Sequence, residues 1–169
     1  MKHLTLLFIL IPAPLMAESF DAIKSKEYLQ SIQYKLTRLR VLLKEDKRGR
    51  ALRYEMTARA IDSLPMLKVD DELLTFGIHV SSSLRYQADV ERQSLVHAGV
   101  RRAQTRYGYY NGYYFTPNFS TYYMNPRAIN AEENEKSAIV RFSNWRDIED
   151  KMVEIRRSLT QKYNIEFIE

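Results

Sequence analysis

Apolar side chains recur every three or four residues over several stretches of this chain, the spacing of amphipathic helices. Leu29, Ile32, Leu36, Leu39 and Leu43 form one stripe over residues 22–44. Asp21 is a candidate N-cap, and Gly49, beyond the charged run Lys44 to Arg48, is a natural stop. A second helix is expected over 50–64, with Leu52, Met56, Ala60 and Leu64 on one side and Pro65 ending it. The third has the clearest start in the chain. Asp70 can cap it, Asp71 and Glu72 suit the positive helix end, and Val69 can close over Leu74 as a hydrophobic staple. Its stripe runs Leu73, Gly77, Val80, Leu84, Ala88 and Leu95, and the pattern allows it to continue to about Arg106, although Gly77, Ser81 to Ser83 and Gly99 each weaken it and leave its end open.

Residues 107–127 show no helical period and contain Gly108, Gly112, Pro117 and Pro126, which predicts a long irregular connection. From about Ala131 the period returns through Ala138, Phe142, Trp145, Ile148, Met152, Ile155, Leu159 and Tyr163. Ser143 and Asn144 with Asp147 can cap a fresh helix, so the spacing allows one long helix or two in tandem. Residues 165–168 read as a docked, extended tail. The expected fold is all-α: an antiparallel bundle of about four helices with one long aromatic-rich connection.

The first 17 residues follow a different pattern. A basic head at Lys2 and His3, an apolar run from Leu4 to Ile11 and a Leu15-Met16-Ala17 triplet before Glu18 read as a removable export signal. The apolar run is shorter than the ~20 residues that span a bilayer, and Pro12 and Pro14 interrupt it. The expected product is a single helical domain, residues 18–169. The chain has no Cys, so disulfide scaffolds and thiolate metal sites are excluded, and an exported product without disulfides points to the bacterial periplasm or the extracellular space.

Candidate chemistry is sparse. His79 has Thr75 and Ser83 four residues away, and His97 has Gln93 and Arg101, so neither belongs to an HExxH-like pair. The sequence has no nucleophile elbow and no phosphate-cradling glycine loop, and it implies neither a cofactor nor a metal. The acidic clusters Asp70-Asp71-Glu72 and Glu132-Glu133 are accounted for by helix starts. Catalysis is therefore disfavoured, although a carboxylate pair assembled by folding would need no local motif.

Charge adds two features. The net charge of +5 becomes +4 once Lys2 leaves with the signal. Between Tyr34 and Arg53 lie Lys35, Arg38, Arg40, Lys44, Lys47, Arg48, Arg50 and Arg53 against two acids, a surface able to meet an acidic glycan or an anionic membrane. A solvated helix face explains the same run, and export argues against nucleic acid. The second feature is sharper. From Arg92 to Ala131 there is no Asp, Glu or Lys, but five Arg and seven of the twelve Tyr. Arg and Tyr offer large contact areas with polar tips, which recognition surfaces favour.

Within this segment Arg101, Arg102, Arg106, Tyr109, Tyr110, Tyr113, Tyr114, Tyr122 and Tyr123 are the candidate partner-binding residues. The expected role is a non-enzymatic binding protein whose partner is another protein or a second copy of the chain. The alternative is a structural helical module that self-associates through its stripes, as a coiled coil does, while the tyrosines only cover the core.

Overall fold

A computed structural model describes residues 20–46, 49–110, 126–164 and 167, with side chains described over 20–46, 49–100, 130–164 and 167. These residues form four helices and no strand: α1 (Phe20–Glu45), α2 (Arg50–Asp62), α3 (Asp71–Tyr110) and α4 (Pro126–Tyr163). The export signal, the centre of the Tyr-rich connection and most of the C-terminal tail lie outside the described residues. Phe167 alone of that tail is described, packed against the core.

Cross-helix pairs fix the directions. Glu72 with Ser158, His79 with Asp147 and Ser94 with Glu133 run antiparallel along the α3–α4 seam. Asp62 with Arg85 and Glu55 with Arg92 set α2 antiparallel to α3. Gln33 with Arg156 and Arg40 with Glu149 set α1 antiparallel to α4, completing an up-down-up-down bundle. The buried core takes Leu29, Ile32, Leu36 and Leu39 from α1, Leu73, Phe76, Val80, Leu84 and Ala88 from α3, and Ile148 and Leu159 from α4. Burying each large aliphatic is worth about 1.5–3 kcal/mol, enough in sum to set the fold.

Several details depart from the spacing. Asp21 lies within the first turn of α1, because Phe20 is already helical. Gly49 sits just before α2 in a left-handed conformation, φ 74°, and its carbonyl accepts the Arg53 N–H at 3.0 Å. The core face of α2 is Tyr54, Ala58 and Ile61, whereas Leu52 and Met56 face solvent. Both faces of this short helix carry apolar residues, and packing on α3 selects the one with the small Ala58 between two large side chains. Leu95 and Phe142 are exposed too, whereas Ala98, Glu133 and Ser137 are buried.

Helix boundaries also shift. Tyr107 to Tyr110 belong to α3, and Pro126 and Arg127 to α4, so the connection is shorter than 107–127. Pro126 opens α4, where its fixed φ fits and its missing N–H costs nothing. The C-terminal segment is one continuous helix: Asn144 donates to Gln87, and Asp147 meets His79, so neither starts a new helix. Asp70 caps α3 as its position predicts, accepting the Glu72 N–H at 3.0 Å.

Gly77 explains itself by contact. A Cβ built there would lie 2.3 Å from the Tyr28 hydroxyl oxygen, so the α1 tyrosine occupies the space an alanine would need. Tyr28 is 4% exposed and part of the core, so its ring is closely surrounded. Gly77→Ala gains helix propensity yet is expected to lower stability by about 1–3 kcal/mol, read as a fall in Tm by circular dichroism. Tyr28→Phe in the same background should restore part of the loss.

Candidate interaction surface on the arm formed by α3 and α4

The helices differ in length: 26 residues in α1, 13 in α2, 40 in α3 and 38 in α4. Among the described residues, the ion pairs that bind α2 to α3 reach no further along α3 than Glu91 and Arg92. Beyond Arg92 α3 continues 18 residues to Tyr110, about 27 Å at 1.5 Å per residue. Among the described residues α4 accompanies it, through Ser94 to the Glu133 carbonyl at 3.1 Å and His97 Nδ1 to the Glu133 carboxylate at 3.9 Å. The outcome is a covered four-helix base and a two-helix arm.

A polar layer marks the boundary. Glu91, 3% exposed, takes Arg50 of α2 on one oxygen at 2.9 Å and Arg141 of α4 on the other at 3.6 Å. Gln87, also buried, accepts from Asn144 Nδ2 at 3.1 Å and lies 3.4 Å from the Ser137 carbonyl and from Glu91 Oε1. The buried Ser137 hydroxyl has no hydrogen-bond partner among the described residues, and the buried Tyr54 hydroxyl has only the Trp145 side chain near it. Burial pushes the Tyr54 pKa above its ordinary value, with Trp145, Arg141 and Arg50 partly opposing the rise.

The opposite end of the bundle is closed by Asp70. Its N–H donates to Ser25 Oγ of α1 at 3.0 Å, and its carboxylate accepts from Lys162 and, at 2.9 Å, from the Tyr163 hydroxyl of α4. Burial alone would raise the Asp70 pKa. Hydrogen bonds from Lys162, Tyr163 and the Glu72 N–H outweigh it and hold the carboxyl below its usual range. Midway along the seam, His79 Nε2 lies 2.7 Å from Asp147 Oδ2 and 3.1 Å from Lys151 Nζ. Burial would raise Asp147, but His79 and Lys151 together keep it below the ordinary carboxylate value.

The sequence-derived candidates divide accordingly. Arg101, Arg102, Arg106, Tyr109 and Tyr110 lie on the distal part of α3, while Tyr113, Tyr114, Tyr122 and Tyr123 fall outside the described residues. The basic run on the first two helices is partly engaged internally: Arg40 meets Glu149 and lies 4.7 Å over the Trp145 ring, Arg50 holds Glu91, and Arg53 is 3.8 Å from Asp46. Glu132 and Glu133 are two turns inside α4, not at its start, because the helix begins at Pro126.

Sequence spacing gave no sign of the Glu91 clamp, the Asp70 junction or the His79 trio. Each joins residues more than 40 positions apart, for which a single sequence carries no local signal. Among the described residues no group of three His, Cys, Asp or Glu is placed to hold a metal, and no helix is long and apolar enough to cross a membrane. A shallow depression beside α1, between Glu27, Tyr34, Lys35 and Leu64, opens widely to solvent.

Asp70 sets a pH test. Its folded pKa is depressed, so its contribution is present above the unfolded carboxylate pKa and is lost as pH falls through the lower folded value. Lys162 is shifted upward by the same contact, so its share is lost only as pH rises through a value above that of free lysine. Asp70→Ala should cost about 2 kcal/mol at neutral pH, from the lost cap and buried hydrogen bonds. In Tm measured against pH, the gap between wild type and variant should narrow in acid below the ordinary Asp range. Comparison with family models, with curated proteins and with solved structures returns no match for this chain.

Proposed function

We propose that this chain is an exported, non-enzymatic interaction protein that recognises a protein partner through the Arg/Tyr-rich distal part of α3 and the connection that follows. The observation that carries the reading is the difference in helix length. Arg101, Arg102, Arg106, Tyr109 and Tyr110 lie on the stretch of α3 beyond its ion pairs to α2, in a segment without a single acid. Surfaces dense in Arg and Tyr bury much area at low rotamer cost and concentrate binding energy in few side chains. Export rests on the leading 17 residues, and a periplasmic or extracellular site of action follows from it.

A second reading has its own support. Large aliphatic side chains stand exposed where the arm leaves the base, which suits a helical module that binds itself.

Replacing Tyr110, Tyr113 and Tyr123 together by Ala separates recognition from packing. Recognition predicts a Tm close to wild type and loss of the partner otherwise captured by cross-linking from the envelope fraction of cells that make the protein. A large fall in Tm with the partner retained would overturn it.

A further inference from the structure

We infer that the depression between α1 and the end of α2 binds one ring of a neutral saccharide, stacked on Tyr34 and hydrogen-bonded by Glu27, Gln30, Ser31 and Lys35. Partner recognition by the Arg/Tyr segment neither requires this site nor excludes it.

The site begins with spacing on α1. Positions 27, 30, 31, 34 and 35 recur in helical steps, so their side chains share one helix face. Leu64, just beyond α2, closes the depression from the other side. Its volume is about 490 Å³, within the span of ligand clefts, about 300–1,000 Å³. The wide opening to solvent leaves a compact apolar molecule mostly in water, but it suits one ring of a longer, hydrated ligand.

Tyr34 supplies the platform. The other tyrosine of α1, Tyr28, belongs to the core, whereas Tyr34 is 67% exposed. Among the described residues no ring contact or hydrogen bond engages it. An aromatic face carries the negative part of the ring quadrupole. It therefore attracts the weakly positive C–H groups on the apolar face of a sugar ring.

The polar groups complete the match. Glu27 accepts from Lys24 through Oε2 at 2.7 Å, which leaves Oε1 as an acceptor. The side chains of Gln30, Ser31 and Lys35 form no hydrogen bond or ion pair with the described residues. Lys35 only donates, Glu27 only accepts, and Gln30 and Ser31 do both. Each hydroxyl of a sugar is also both donor and acceptor, so neighbouring hydroxyls find complementary groups here. Charge selects a neutral ring: the lining holds one carboxylate and one ammonium, with no excess to favour an acidic sugar.

Titration of the isotope-labelled protein with cellotetraose, maltotetraose and chitotetraose, followed by NMR, tests the site. Each is taken to about 20 mM, enough to saturate a site with a Kd of about 1 mM. The expected result is that at least one of the three shifts the signals of residues 27–35 and Leu64. Tyr34→Ala should weaken that binding at least about tenfold with an unchanged Tm, while Tyr34→Phe retains it. Gln30→Ala and Lys35→Met, on the same face, should each weaken it without loss of helical circular dichroism. Tyr86→Ala, at an exposed tyrosine of α3, should leave it as in the wild type. No shift with any of the three sugars overturns the site, as does binding indifferent to Tyr34→Ala, Gln30→Ala and Lys35→Met. Tighter binding of trigalacturonate that salt abolishes would overturn the neutral ligand in favour of an acidic one. Recognition by the Arg/Tyr segment stands or falls separately, on the Tyr110, Tyr113 and Tyr123 variant.

Discussion

The carboxylate of Glu91, buried between Arg50 of α2 and Arg141 of α4, decides where the covered bundle ends. A charge held out of water must be paired, and both arginines reach it only if α2 begins and α4 passes at that height. Below it lies an apolar core, to which α3 gives Leu73, Phe76, Val80, Leu84 and Ala88. Above it the α3–α4 seam is polar and small, with Ser94, Ala98, Glu133 and Ser137. The change from apolar to polar packing thus coincides with the change from four helices to two.

The opposite end is fixed with similar economy. Asp70 caps α3, receives the end of α4 through Lys162 and Tyr163, and meets α1 through Ser25. One side chain and its own backbone N–H therefore tie three helices together. With Asp70 at one end and Glu91 near the other, α3 is the spine on which the remaining helices are registered. Among the described residues, the ion pairs that register α2 on α3 stop at Glu91 and Arg92.

Much of the fold could be read from spacing alone. The stripe from Leu29 to Leu43 located α1, and Asp70 located the start of α3, because each of these signals is local. The core face of α2 could not be read in this way. Leu52 and Met56 compete with Tyr54, Ala58 and Ile61 on a 13-residue helix, and only the neighbour decides between them. Phe142 matched the α4 period and is nonetheless exposed, since the stripe on that helix outruns the helix meant to cover it. Tyr107 to Tyr110 looked irregular because Gly and Tyr are weak helix formers, yet α3 carries them. The candidate Arg/Tyr residues were visible as composition. The Glu91 clamp and the Asp70 junction were not, because each is assembled from separate helices.

Among the described residues, the chain divides at Glu91 into a base of four packed helices and an arm in which α4 accompanies α3. Amide hydrogen exchange on the wild-type protein tests this division most directly. The expected result is strong protection for the stretch of α3 from Leu73 to Ala88 and clearly weaker protection from Leu95 to Val100. Equal protection of the two stretches would contradict it.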